Sequence, residues 1–404
     1  MELGPIWRAL MRNKASYVLI ALQIAVTMAI MVNAVGIIQE RSQQMARPSG
    51  VDEENIFYLS SNIFDPDADF EAQIEADLDA IRSFPGVHNA VMSNTVPLQG
   101  GGWSDGITLE PDPDLDSTGV AIYFSDEHGI DTFGVNLIAG RNFSANEVNW
   151  HDYESDAWPP IAIVTRAMAE ELFPDLAADQ SLGKTVYIHD TKPVTIIGIT
   201  ERMQAAWNSW SGVERSMLVP VKRGGAYARY VIRAEPGYRD EIMPQIEEML
   251  ASMTDNRIIR GMETMQQTRQ ESYLLDSSMV KLLLFIVTVL TAITGLGIAG
   301  LASFSVARRT KQIGTRRALG ATRPAILRHF MLENFVITSV GVAGGAILAV
   351  AINMWMVNAF GLQRMAWYLV PVAMAALWLV GQAAAYGPAR RATMVPPALA
   401  TRSV

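Results

Sequence analysis

Cysteine is absent from all 404 residues, which excludes disulfide staples and thiolate chemistry and leaves any folded domain to hold itself by its own core. Histidine is scarce. The five, His88, His128, His151, His189 and His329, are scattered without a metal-ligand spacing such as H-x-x-x-H. No G-x-S-x-G is present. Gly183-Lys184-Thr185 ends like a phosphate-binding loop, but the position five before Gly183 is Ala178 where that loop needs glycine, so it reads as a helix-to-strand turn. Acidic runs such as Asp52-Glu53-Glu54 read as solvated surface. The chain is therefore expected to be non-catalytic.

Charge is missing from four long windows: Ala15 to Gln39, Leu282 to Ala307, Asn334 to Gln363 and Met365 to Ala389. Each meets the ~20 residues a helix needs to cross ~30 Å of hydrocarbon, where the backbone must satisfy its own hydrogen bonds. The first window is longer than a signal-peptide core, and Asn33-Ala34-Val35-Gly36 is a poor cleavage site, so it is expected to remain as a span. The spans are interrupted by amides only, at Gln23, Asn33, Asn334, Asn353, Asn358 and Gln382, which argues against a charge-lined pore.

Basic residues set the orientation. Arg8, Arg12 and Lys14 precede the first window, seven bases crowd the connection between the second and third, and Arg390, Arg391 and Arg402 follow the fourth. Both termini and the basic connection are expected in the cytoplasm, with the long stretch after the first span outside. Gln39 to Val280 holds 17 basic and 39 acidic residues, against 15 and 2 elsewhere. An acidic outer domain and a basic rim suit anionic lipid headgroups, and a nucleic-acid partner is not expected. The expected layout is a cytoplasmic amphipathic helix at 1–16, spans at 17–39, 279–305, 333–360 and 366–388, and an outer domain at 40–278. A cytoplasmic elbow at 306–332 and a tail at 389–404 complete it.

The outer domain alternates strand and helix patterns. Ile56 to Leu59 reads as a strand, Asp69 to Phe84 as an amphipathic helix, and Val87 to Met92 as a strand. A second such unit runs through Tyr230–Ala234, Arg239–Met253 and Arg257–Gly261. Two βαβ-like units at about 51–95 and 219–270 predict a ferredoxin-like subdomain, split by a β-rich insert at about 96–218. Within the insert, Ile161–Val164 and Thr195–Ile199 read as strands bracketing a helix at Arg166–Phe173. Gly100–Gly102 and Asn142–Pro160 read as mobile loops; Trp150 and Trp158 in the latter either mark a contact surface or plug their own subdomain.

The most informative stretch is Ala307 to Asn334, ARRTKQIGTRRALGATRPAILRHFMLEN. The second span is expected to continue into a basic helix ending at Leu319, with Gly320 as a C-terminal cap. Thr322 is an N-cap, and Pro324 falls in the first turn of the next helix. Ile313, Ala318 and Leu319 would face lipid or a groove on a partner, and composition leaves those two open.

This stretch strongly resembles the FtsX-type permease domain of the MacB superfamily of ABC transporters, approximately R-x-R-E-I-G-I-R-R-A-L-G-A-T followed by L-x-E. The chain supplies Arg309, Thr310, Ile313, Gly314, Arg316, Arg317, Ala318, Leu319, Gly320, Ala321 and Thr322, then Leu332 and Glu333. Gly387-Pro388-Ala389-Arg390-Arg391-Ala392 with Pro397-Ala398-Leu399-Ala400 resembles the family's ending, and Trp7 to Ile24 its entry into the first span. Phe84–Val87, Phe133–Phe143 and Leu182–Val186 resemble the family's periplasmic core more loosely. Gln312 departs from the usual glutamate.

The resemblance implies an α-helical membrane protein of four spans with an α+β extracytoplasmic domain. It would be the permease subunit of an ATP-driven transporter in a Gram-negative inner membrane, acting by mechanotransmission. The elbow, Arg309 and Gln312 to Gly314 with Arg316 to Thr322, would be the coupling helix seated in an ATPase. Glu333 would sit at a helix N-terminus, where the macrodipole favours a carboxylate, or act in coupling. Two copies of a separate ABC-type ATPase would bind the ATP and Mg, and this chain no cofactor. A second permease copy or paralogue would complete the assembly, with a periplasmic adaptor and an outer-membrane channel as further partners. Alternatives in the same architecture are an FtsX-like regulator of an extracellular hydrolase, a Lol-like lipoprotein-releasing permease and a sensor. An outer domain of about 240 residues fits the MacB type better than the smaller FtsX one.

Overall fold

The computed structural model describes residues 14–65, 67–151, 157–189, 191–361 and 364–396. Most of the amphipathic segment expected at 1–16 lies outside them, as does Pro397–Ala400. The chain divides into two compact units, Met1–Met45 with Asp276–Val404, and Ala46–Leu275. It opens on a long helix, α1 (Lys14–Ala46).

The second unit holds two sheets. In chain order its elements are β1 (Ile56–Ile63), α2 (Phe70–Arg82), β2 (Val87–Met92), β3 (Trp103–Thr108), β4 (Thr118–Ser125), α3 (Gly129–Phe133) and β5 (Leu137–Gly140). There follow β6 (Asn149–His151), β7 (Ile161–Thr165), α4 (Arg166–Leu172), β8 (Thr185–Ile188), β9 (Lys192–Thr200) and β10 (Ser216–Arg223). β11 (Tyr227–Ala234), α5 (Arg239–Met253), β12 (Arg257–Thr264) and α6 (Met265–Ser272) close it. The first sheet runs β12-β1-β11-β2 with every neighbour antiparallel, Tyr58 facing Val231 and Tyr230 facing Met92 across it. α2 starts where the Asp69 carboxylate accepts from the Ala72 amide, and its Ile74, Leu78 and Ile81 fall on one buried face. That face and Ile242, Ile246 and Leu250 of α5 pack on Phe57, Leu59, Ala90, Tyr230 and Ile232.

The alternate residues of the same strands point the other way. Ile56, Tyr58, Val91 and Val231 meet Ala121, Tyr123, Ile163 and Leu218 of the second sheet in a shared core, as the two-residue period of a strand requires. The second sheet follows β4-β3-β8-β9-β7-β10, and β10 also pairs in parallel with β4, closing the path on itself; β6 and β5 attach to β10 and β9. Its other alternates, Val120, Ile122, Val164, Ile196, Met217 and Val219 among them, pack with Met168, Ala169 and Leu172 of α4.

The described parts of the two segments expected as mobile loops are structured; residues 152–156 of the second lie outside the described residues. Gly100 donates its amide to Ala206 O at 2.8 Å, and the Thr95 hydroxyl donates to Gly101 O. Between Asn142 and His151 a 3-10 turn, tied by Arg141 to Glu147, leads into β6. Trp150 packs against the core beneath α2 and α5, and Trp158 against the core of the second sheet, edge-on to Trp103 and His189. The two tryptophans thus plug their own domain.

Past α6 the chain enters α7 (Leu274–Arg308), a short α8 (Thr310–Ala318), α9 (Arg323–Phe360) and α10 (Leu369–Ala392). Among the described residues, four helices are long and apolar enough to cross a membrane: α1, α7, α9 and α10. α9 meets α1 through a G-x-x-x-G step. A Cβ on Gly341 would lie 2.7 Å from Ile24 Cβ, and one on Gly345 2.7 Å from Met28 Cβ, so only glycine admits this approach. Polar groups stitch the bundle: Asn33 donates to Ala349 O, Asn334 to Gly381 O, and Thr27 pairs with Thr294. These amides serve packing rather than a channel lining. α7 leaves an apolar row exposed, Leu282, Phe285, Val289, Ile293 and Leu296.

In the second unit one ion pair among the described residues is wholly enclosed. Arg257 of β12 reaches Asp77 of α2 at 2.9 Å with both side chains at zero exposure, and the Tyr230 hydroxyl donates to the second carboxylate oxygen. Burial pushes the Asp77 carboxyl above the usual range, while Tyr230 and Arg257 pull it back. Asp77→Ala would strand a guanidinium among apolar neighbours, at a cost of about 3–5 kcal/mol. Denaturant unfolding followed by tryptophan fluorescence should show that loss; a change below about 1 kcal/mol would mean the pair carries little of the domain's stability.

Candidate functional site

The connection from α7 to α9 is where the motif residues gather. α7 does not run on into the next helix as expected. It breaks at Arg309, which leaves helical geometry with φ −104° and ψ 11°. The break has a physical cause in the side chain it frees. The Arg309 guanidinium donates to Glu333 Oε2 at 2.9 Å and to the Tyr17 hydroxyl at 3.2 Å, and Tyr17 donates to Glu333 Oε1 at 2.9 Å. Tyr17 and Glu333 are buried, so the cluster satisfies both carboxylate oxygens where water is scarce.

Glu333 does not stand at a helix N-terminus. α9 begins at Arg323, three turns earlier, so the carboxylate is beyond reach of the terminal dipole and is held by Arg309 and Tyr17 instead.

The far end of α8 stops as its glycine suggests. Gly320 takes φ +94°, its amide bonds Arg317 O, and the Ala321 amide bonds Arg316 O, the two bonds of a Schellman motif. The Thr322 hydroxyl then accepts from the Ala325 amide, and Pro324 occupies the first turn of α9.

α8 has two faces. Ile313 and Gly314 are buried, with Ile313 in a core built from Ile326 and Phe330 of α9 and Ala389 and Ala392 of α10. Ile313 therefore faces neither lipid nor a partner's groove, contrary to the expectation from its position. Arg317 turns the same way and donates to Thr393 O and Val395 O at 3.1 and 2.7 Å, capping carbonyls past the end of α10. On the opposite face Lys311, Gln312, Thr315, Arg316, Ala318, Leu319 and Gly320 are exposed, with Leu319 83% exposed at the tip. Ala321 is half-buried, and Thr322 is exposed beside it.

The structure thus sorts the motif residues into two sets. Arg309, Ile313, Gly314, Arg317 and Glu333 fasten the elbow to its own helices, and Gln312, Arg316, Ala318, Leu319 and Gly320 are presented outward. Sequence reasoning missed Tyr17, Ile326, Phe330 and Ala392 as members of the site. One signal was available: Glu333 is the only acid beside seven bases, and a lone acid at the edge of an apolar window needs a cation. Among the described residues no group of His, Cys, Asp and Glu could hold a metal ion.

Residues 284–397 match the family model described as FtsX-like permease C-terminal, and residues 18–249 that described as MacB-like periplasmic core domain. The macrolide export ATP-binding/permease protein MacB of Shewanella sp. strain ANA-3 is 26% identical over 264 residues, 61% of this chain and 39% of that protein. MacB of Chromobacterium violaceum is 22% identical over 344 residues, 77% of this chain and 49% of that protein. The chain spans about two fifths of the length of the first of these relatives. The crystallised periplasmic region of MacB from Actinobacillus actinomycetemcomitans aligns at 13% identity with a TM-score of 0.35, covering 55% of this chain and 94% of that one.

The packing separates two substitutions that look alike in the sequence. Ile313→Asp puts a carboxylate into the core beneath α8 and should detach the elbow, costing several kcal/mol. Leu319→Asp meets only solvent and should be neutral within about 0.5 kcal/mol. Limited proteolysis after the α8 arginines reads the difference; equal cleavage of the two variants would contradict this packing.

Proposed function

The chain belongs to the MacB-like family of ABC transporter permeases, and on that premise we propose that it is the membrane subunit that carries the work of an ATPase to a domain on the other side of the membrane. The observation that supports this is the two-faced elbow. Its outward face ends in an exposed Leu319, and its inward face is fastened to all four long helices through Tyr17, Arg309, Ile313, Phe330 and Arg317. A partner that seats Leu319 and pushes on α8 moves the helix ends together, because no single contact can yield alone.

In this reading α8 is a coupling helix, and Gln312 meets the ATPase through a neutral hydrogen bond or leaves the contact to the apolar residues beside it. ATP and Mg are bound by an ATP-binding partner, two copies to an assembly of two permeases. In the same reading the elbow and both termini lie in the cytoplasm and residues 46–275 in the periplasm of an inner membrane, an orientation that the bases beside the spans favour. The order β12-β1-β11-β2 with α2 and α5 on one face is that of a ferredoxin-like split βαβ unit. Fused through a shared core to the closed second sheet, it forms a stiff lever, suited to transmitting motion. Substrate is acted on outside the membrane, with an adaptor and an outer-membrane channel as candidate partners.

Leu319→Asp tests the reading. The variant should insert and fold as the native chain does, yet bind its ATPase at least about tenfold more weakly, as expected when an anchor side chain is lost from an interface. Co-purification in mild detergent reads this out. Undiminished ATPase recovery with Leu319→Asp would overturn the coupling-helix reading.

A further inference from the structure

At the edge of the four-stranded sheet, His88 of β2 lies between two carboxylates from different parts of the chain. Its Nε2 is 3.1 Å from Asp131 Oδ1 of α3, and its Nδ1 is 3.2 Å from Glu235 Oε1, just past β11. A neutral imidazole has one N–H and one lone pair, so it satisfies one of these oxygens and turns its lone pair on the other. Only the doubly protonated ring donates to both. The positions of the heavy atoms therefore call for an imidazolium.

The neighbouring groups leave that role to His88. Asn89 donates its amide to Asp131 Oδ2 at 2.7 Å, and Arg233 of β11 stands 3.7 Å from Asp131 Oδ1. Arg233 is committed elsewhere, pairing with Asp52 at 3.0 Å and donating to the Asp131 carbonyl at 2.9 Å. Asp52 in turn donates its amide to Phe133 O at the end of α3. His128, before α3, faces Glu127 at 3.7 Å. The charged groups around the ring are thus Asp131, Glu235 and, behind them, Arg233 and Asp52. The hydrogen bond to Asp131 holds the imidazole above its usual range; partial burial and Arg233 oppose it, and Glu235 adds to it. Burial pushes the Asp131 carboxyl up, but Asn89, His88 and Arg233 outweigh it and hold the group below the usual carboxylate range.

We propose that His88 is a pH-operated latch between α3 and the four-stranded sheet, closed while the ring is charged and loosened when the ring gives up its proton. The fastening is complete below pH ~6.5, where a free imidazole is already protonated, and is lost as pH rises through the higher value of the folded ring. Asp131 keeps its charge throughout that range, so the histidine alone sets the change. His88 is 38% exposed and Asp131 50%, so protons reach the ring directly and the latch is weak. When it opens, Arg233 and Asp52 still hold α3. The device grades the stiffness of the seam between the two sheets without unfolding it, and it does not depend on the elbow meeting an ATPase.

The test uses the full chain in nanodiscs, with NMR of labelled histidine rings and hydrogen–deuterium exchange of residues 127–136. His88 should titrate above pH ~6.5, and Asp131→Asn should lower its pKa. After correction for intrinsic rates, the α3 amides should exchange roughly two- to fivefold faster at about pH 8 than at about pH 5.5, the worth of one exposed ion pair. His88→Gln should remove this dependence, and His88→Arg, which stays charged, should keep α3 protected at both values. A ring that titrates at or below pH ~6.5 would overturn the proposal, as would a His88→Gln variant that keeps the native pH dependence. So would a His88→Arg variant that loosens at the higher pH as the native chain does.

Discussion

A carboxylate buried at the end of an apolar bundle has to be met by a cation, and Glu333 settles much of the geometry around it. Arg309 supplies the charge from the position where helical geometry breaks between α7 and α8. Tyr17 closes the cluster from α1. Three segments distant in the chain are thereby joined at one point, and truncating any member leaves polar groups buried without partners, at about 3–5 kcal/mol for the ionic ones. The elbow's own core, Ile313 with Phe330, Ala389 and Ala392, brings in the fourth helix.

Rigidity then follows in both directions. Toward the membrane, the glycine step at Gly341 and Gly345 lets α9 lie directly on α1, so the two share displacement over several turns. In the outer unit, a shared core between two sheets and an enclosed Asp77–Arg257 pair leave few soft joints. Compact, well-packed bodies of this kind move as wholes rather than deform.

Much of this was legible before any coordinates. Charge-free windows located the long helices because the bilayer's demand on composition is severe. Gly320 and Thr322 marked helix ends because capping is a local matter, decided within four residues. The two βαβ patterns and the apolar strands were visible for the same reason. What escaped was everything decided by partners far along the chain. Ile313 reads as an outward residue until Phe330 and Ala389 are placed beneath it. Glu333 reads as a cap until α9 is seen to start three turns earlier. Trp150 and Trp158 leave a contact surface and an internal plug equally open until their cores are known.

The central claim is that the Glu333–Arg309–Tyr17 cluster makes the elbow and the spans one mechanical body. It is tested most directly by exchanging the charges and measuring ATP turnover of the assembled complex in nanodiscs. Arg309→Glu and Glu333→Arg should each insert, keep Leu319 available to the ATPase and lose most permease-coupled turnover, and the double exchange should restore a large part of it. Single variants that fold and turn over ATP as the native complex does would contradict the account.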